Sequence, residues 1–562
     1  MAAQQALPVS PYHEFHQPDD ITSIALFDHD GTTALYEKGE YGNDLICRII
    51  QLNDVSALKQ YLLREPMRGL AANLAIYTDP FYTATYYASI DCLRILLEHH
   101  AIHGTPAQLE APNSTDYLLL NVASSRAHLD MARFLLGCQP AYVDIHARKW
   151  DMTALLCAAA SFTPHLPDTV PASSEPKEYL RHHVARSEEL MQLLLDRGAC
   201  ARDATNWANI HETVLSLAIS RASPGLVKRL IDEGADVHAK TTRKLEPWSG
   251  YDEELLQDFT PLHVGSLYLN SEGIQILLDR RGSGIDISDM LLYRDSSESL
   301  PLHWAAGSFN QPENEVWARD DIVAQATDTI KLLLKGSNAS SINIPDKRGN
   351  TALHLASSGE AQSGSEHSFV ARAIVKLLLE HGADAGLRNQ KGQTPLHLVT
   401  KDTALMELLL ANGAGLNHAD VDGNTALHFA AINLRYIEAV RFLISRGADL
   451  HARNSKGNTP LHEAAGGYYM NDTRRLTSGS YRDGHMRWTN TDLMRLQDEV
   501  MGVFLDAGCD LDHQCNVAGK TPRMILEETR RKWKEREESW RRRDQIRAGR
   551  GRGSGRGRGR GR

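Results

Sequence analysis

The side chains that could do chemistry fall into three groups: histidines, a compact Cys/His trio and a run of arginines. The chain has 25 histidines. Six of them, His263, His303, His354, His397, His428 and His462, recur as the fourth residue of one tetrapeptide, T-P-L-H or a near copy, which is a structural rather than a catalytic pattern. Cys509, His513 and Cys515 carry metal-capable atoms, but a structural zinc site needs four ligands and normally paired C-x2-C spacing. Cys509 also follows Gly508 as Ala448 follows Gly447, so it fills a small-residue position, and no metal or other cofactor is expected. Phosphate-cradling G-x-x-x-x-G-K-[ST], the G-x-S-x-G elbow, H-E-x-x-H and H-R-D are all missing, so no catalytic residue is assigned and no small-molecule substrate is expected.

The elements that position these residues are repeated. The tetrapeptide stands at Thr260–His263, Thr351–His354, Thr394–His397, Thr425–His428 and Thr459–His462, with Leu300–His303 as a variant that lacks threonine. Threonine before an apolar run is a good N-cap, and proline suits the first helical position. Paired small residues such as Ala430-Ala431 allow a second helix to approach, and leucine clusters about twenty residues on supply its apolar face. Glycines such as Gly382 and Gly447 end that helix, and D/N-x-x-G turns lead to the next copy. Each unit therefore reads turn, helix, short turn, helix. One unit cannot bury its apolar face alone, so units must stack.

The tetrapeptide and its spacing resemble the ankyrin repeat, with a period of about 33 residues and the signature T-P-L-H-x-A. The resemblance implies an all-α solenoid of helix-turn-helix units joined by β-hairpin-like turns. About twelve units are expected over residues 44–529, best formed at 346–466. Weaker copies start at Thr83, Leu118, Thr153, Thr213 and Thr521, and 44–63 reads as a helix pair without a tetrapeptide. Long inserts are expected near 161–186, 241–258, 308–326, 359–368 and 466–491; all but the second lie between the two helices of a unit. Residues 1–43 form an N-terminal segment without a recognised motif. Residues 530–548 read as a basic helical extension that caps the last repeat or presents a partner-binding helix, and 549–562 as a disordered Gly/Arg-rich tail. Long, interrupted arrays of this kind are similar to those of fungal proteins.

The resemblance also implies that the tetrapeptide histidine bonds backbone in the neighbouring hairpin. It implies a non-enzymatic scaffold that binds protein partners through hairpin tips and helix ends. The tip residues are Lys347, Arg348, Gln390, Lys391, Val421, Asp422, Ser455 and Lys456, and the helix-end anchors are Ile432, Tyr468 and Tyr469. Trp304 and Phe429, in the position after the histidine, are expected to pack inward. A substrate adaptor of a modifying enzyme such as a ubiquitin ligase is the family-based alternative.

Charge divides the 562 residues unequally. Residues 530–562 carry a net +11 and residues 1–529 a net −21, within a total of −10. Nucleic acid is thus disfavoured over most of the surface and invited by the tail, where Arg550, Arg552, Arg556, Arg558, Arg560 and Arg562 could hold RNA or another polyanion. The 42% apolar content supports a folded core, and no apolar run reaches the ~18 residues that cross a bilayer. With no secretory leader and seven scattered cysteines, an intracellular site in cytoplasm or nucleus is expected.

Overall fold

A computed structural model describes residues 45–64, 80–103, 118–138, 143–162, 176–207, 209–244, 255–282, 284–308, 319–335, 341–358, 368–434, 436–467 and 490–552. The chain divides into two compact units, one of residues 1–247 with 251–285, the other of residues 286–562 with 248–250.

Both units are built from a row of short first helices and a row of second helices. In the first unit, Leu45–Gln51, Pro80–Tyr86, Leu119–Ser125, Ala154–Ala160, Val214–Ala218 and Pro261–Leu267 pack each on the next. In the second unit, Pro301–Gly307, Ala352–Ser358, Pro395–Leu398, Ala426–Ile432 and Pro460–Ala465 do the same, and Pro522–Arg552 closes the row. The cores are the expected alanines and leucines; Ala305, Ala356, Ala464 and Leu378 are fully buried. Trp304 is buried as expected, and Phe429, half-buried, lies edge-on to the His397 ring.

Second helices next to short turns are nine residues long, as in Pro224–Asp232, Ser271–Asp279, Thr403–Ala411 and Ile437–Ser445. Those that follow inserts are longer: Pro176–Asp196 has 21 residues, Arg319–Lys335 and Asn490–Asp506 have 17, and Ser368–Glu380 has 13. The C-terminal part of each expected loop thus extends a helix backwards. At 176–186 the extension is amphipathic, with Leu180, His183 and Ser187 buried at helical spacing.

The insert near 241–258 forms strands. β1 (Ala204–Trp207), β2 (Ile210–Thr213), β3 (Thr241–Lys244) and β4 (Leu255–Phe259) make an antiparallel sheet in that order. Arg243 on β3 pairs with Glu212 on β2 at 3.1 Å. The register expected at Thr83 is displaced: its helix starts at Pro80, so Thr83 lies inside it and is buried rather than capping it.

Pro522–Arg552 packs against Pro460–Ala465 and Asn490–Asp506. Trp533 is buried, and Arg530 donates to Gln497 Oε1 at 2.9 Å and to Asp498 at 2.5 Å. The fully buried Gln497 in turn donates to the Ala465 carbonyl at 2.8 Å, which ties the helix to the end of the second unit.

Candidate functional site

The hairpins of the second unit are assembled by one device used repeatedly. The first turn residue is Asp or Asn, whose Oδ1 accepts from backbone N–H groups two and four residues on. Asp346 accepts from Arg348 and Asn350, Asn389 from Lys391 and Gln393, Asp420 from Asp422 and Asn424, and Asn454 from Lys456 and Asn458. This local bonding is why Asp and Asn favour turns. Glycine follows where φ is positive, as at Gly392 (+71°) and Gly423 (+78°). A Cβ there would stand 2.8 Å from Val421 N or 2.9 Å from Asn454 Cα, so the next hairpin also requires glycine.

That close approach serves a ladder of backbone bonds between tips. Lys347 N donates to Ser297 O at 2.9 Å, Gln390 N to Arg348 O at 2.9 Å, Val421 N to Lys391 O at 3.0 Å, Ser455 N to Asp422 O at 2.6 Å, and Val517 N to Lys456 O at 3.0 Å. Where the turn begins with Asn, its Nδ2 adds a side-chain rung: Asn389 to Asn350, Asn454 to Asn424, and Asn516 to Asn458, at 2.8–2.9 Å. Asp346 and Asp420 have no such donor and instead accept from their own unit's Asn350 and Asn424.

The tetrapeptide histidines brace the ladder from beneath. Nδ1 accepts from the N-cap backbone N–H at 3.0–3.3 Å at all six sites, including Leu300, where the threonine is lost. Nε2 of His303, His354 and His428 reaches Asn350, Gln393 and Asn458 carbonyls of the following hairpin at 3.0–3.2 Å. A ring that accepts at Nδ1 and donates at Nε2 is neutral. Burial pushes His303, His397, His428 and His462 below the ordinary range and His354 down to about 4, although neighbouring carbonyls and carboxylates oppose the shift.

The side chains of the expected tip residues project from this frame. Lys347, Arg348, Gln390, Lys391, Val421, Asp422, Ser455 and Lys456 are all exposed, Val421 by 70%. Among them, Gln390 Nε2 donates to Lys347 O at 2.7 Å. Ile432 is half-buried at the end of Ala426–Ile432, and Tyr468 and Tyr469 lie outside the described residues. Arg550 and Arg552 fall at the end of Pro522–Arg552, while Arg556, Arg558, Arg560 and Arg562 lie outside the described residues.

The first unit holds surface features that sequence reasoning missed. At the ends of its first helices, the Tyr82 and Tyr86 rings stack at 5.6 Å, Tyr87 meets Tyr86 edge-on, and Arg126 lies 4.4 Å above Tyr86. Tyr87 is half exposed. Farther along, Arg221 and Arg243 both lie within 6 Å of Tyr268. An exposed Trp150 borders an apolar depression lined by Met152, Thr205, Ile210 and Glu212. The legible signal was an aromatic or arginine just past each small-residue run, but Tyr86-Tyr87 stands in the copy whose register was displaced.

Among the described residues no cluster of three His, Cys, Asp or Glu side chains could hold a metal ion, and no helix is long and apolar enough to cross a membrane. None of the seven cysteines forms a disulfide. Burial raises the Cys157 thiol to about 12 and Cys92 to about 11, far from the thiolate range of a reactive cysteine.

Residues 367–454 match the family model for ankyrin repeats in three copies. Dog inversin is 29% identical over 179 residues, 30% of this chain and 14% of inversin. A mimivirus protein described as a putative ankyrin repeat protein is 25% identical over 231 residues, 39% of this chain and 28% of that protein. The chain thus spans under a third of the length of these relatives. The human ASB11 ankyrin repeat domain aligns with 48% of this chain and 96% of its own length at 21% identity and a TM-score of 0.33. Ankyrin repeats are a protein–protein interaction architecture, and the tetrapeptides, capping histidines, stacked helix pairs and matched repeats make this chain an ankyrin-repeat protein.

Proposed function

We propose that the chain is a non-enzymatic scaffold that captures a protein partner on the hairpin tips of its second unit. The observation that carries this reading is the backbone ladder: the tips are fixed mainly by main-chain bonds, with one side-chain bond from Gln390 to Lys347 O, and the exposed side chains are presented outward at regular intervals. Rigid presentation lowers the ordering cost of binding, and a few anchors then supply most of the affinity. The seven unpaired cysteines support an intracellular setting.

The test is affinity capture with the full chain and a variant carrying Lys347→Ala, Lys391→Ala and Lys456→Ala. Partners should be lost while the melting temperature stays unchanged. Retention of the same partners sinks the assignment to the tips.

A second reading follows from the charge division: the +11 segment 530–562 tethers RNA or another polyanion while the array recruits protein. Arg530 and Lys532 already pair with Asp498 and Glu528, so the Gly/Arg-rich end would carry that role. RNA retention by the full chain and by a 1–547 truncation across a salt series decides it. Binding that is tail-independent or insensitive to salt counts against it.

A further inference from the structure

We infer that the tips of the second unit recognise an extended acidic peptide segment with an apolar residue set into its acidic pattern. This rests on the tip reading proposed above and names the chemistry of the partner.

The argument begins from charge at the tips. The segment 1–529 is acidic at net −21, yet the exposed tips are basic. Lys347 and Arg348 stand on the first regular hairpin, Lys391 on the second and Lys456 on the fourth, each exposed. The hairpins' own carboxylates are engaged in turns: Asp346 and Asp420 hold backbone N–H groups within their loops, and Asp384 and Asp449 bind Gly386 N and His451 N at 2.8–2.9 Å. The third hairpin differs in kind, presenting Val421, 70% exposed, beside Asp422.

That interruption selects a peptide over a nucleic acid. A polynucleotide carries a phosphate at every step, so one would meet Asp422, and these tips offer no aromatic platform for a base. A peptide can change side chain along its length and place an apolar group on Val421.

Geometry sets the spacing. Each hairpin adds two hydrogen-bonded chain segments to the row, about 10 Å at a strand-like spacing of 4.7–4.9 Å, and an extended peptide rises about 3.3 Å per residue. One tip therefore corresponds to about three peptide residues. The complementary sequence has acids near its first and fourth positions, an apolar residue near the seventh and an acid near the tenth.

A labelled peptide of that pattern on a Gly/Ser background, titrated with the full chain and followed by fluorescence anisotropy, is the direct probe. It should bind at least about tenfold more tightly than its scrambled form or a lysine-for-glutamate version. Lys391→Glu and Lys456→Glu should each weaken it about tenfold. Asp422→Lys should shift preference by a similar factor toward a peptide with glutamate at the seventh position. Circular dichroism melts of the variants establish that they fold.

Equal binding of the scrambled peptide, indifference to Lys391→Glu, or tighter binding of an oligouridylate through the same lysines would overturn the inference. Loss of protein capture in the alanine variant without acidic-peptide preference leaves the tip reading standing and removes only the acidic partner. Capture that survives in that variant removes the tip reading itself.

Discussion

The residue two places before the tetrapeptide divides the hairpin row. From Gly349 through Gly392, Gly423 and Gly457 it is glycine with φ of +71° to +80°. Earlier in the chain the same place holds Asp151, Asp258 and Glu298, at φ of +57° to +58°. The backbone conformation is thus kept while the residue that favours it is not. For an L-residue it costs roughly 1–2 kcal/mol, somewhat less for Asp. Side-chain bonds partly offset the strain: Asp151 accepts from Asn206 N at 2.6 Å, which with Arg148 holds its carboxyl below the usual range. Among the described residues, the Asp258 and Glu298 side chains form exposed ion pairs, to Lys240 and Arg294. The lesson is that the turn is imposed by stacking, and glycine stabilises it without defining it.

Acidification should have the largest effect. Five buried tetrapeptide histidines of the second unit are neutral, with depressed folded values. The unfolded chain then binds more protons below about pH 6.5, so the histidines' contribution to stability falls as pH drops, for His354 down to about pH 4. A histidine held near 4, as His354 is, loses about 2 kcal/mol by pH 5. Hydrogen exchange at pH 7 and 5 should show the second unit losing more protection than the first, where burial also lowers His128, and His183 to about 4. Equal losses would erase the contrast.

Next come the glycines. Gly423→Ala should cost about 3 kcal/mol in denaturant titration, because strain adds to a 2.9 Å contact with Asn454 Cα. The reverse change, Glu298→Gly, should stabilise by about 1 kcal/mol. If Glu298→Gly destabilises, that turn is held by its side chain after all. Asn516→Asp removes the rung to Asn458 and should cost about 1 kcal/mol, whereas Asp346→Asn should be nearly neutral. Smallest of all, Lys347→Ala should change thermal stability by less than about 0.5 kcal/mol.

The second unit was the more legible because its signals are local. A D/N-x-x-G-x-T string contains the Asx bond, the glycine and the N-cap within six residues, so the hairpin is legible in the sequence, while the role of His354 or His428 rests on the family resemblance. The helix beginning at Pro176 is hard to distinguish from the insert in sequence because buried positions 183 and 187 carry histidine and serine. Both depend on a distant residue: Ser161 Oγ donates to Ser187 Oγ at 2.8 Å, and His183 Nε2 meets Ser161 O at 3.1 Å. Strand pairing of Thr241–Lys244 with Leu255–Phe259 depends on a partner across an insert, which composition does not announce. The tip positions follow from the turn motif, and the binding role expected of them from the family resemblance. The Tyr86–Arg126 stack follows from neither, since it joins neighbouring repeats and its own repeat lacks the tetrapeptide.

The ladder joins one tip to the next through N–H and C=O groups that every residue except proline possesses. Between Lys347 and Lys456, changes of side chain at the tips leave these rungs intact. Proline at Gln390, Val421 or Ser455 would delete one. Selection can therefore rewrite the surface at nearly constant stability, and an engineer can do the same. Two proteins with superimposable second units could accordingly share no ligand, and likeness of fold would then carry little information about whom each one meets.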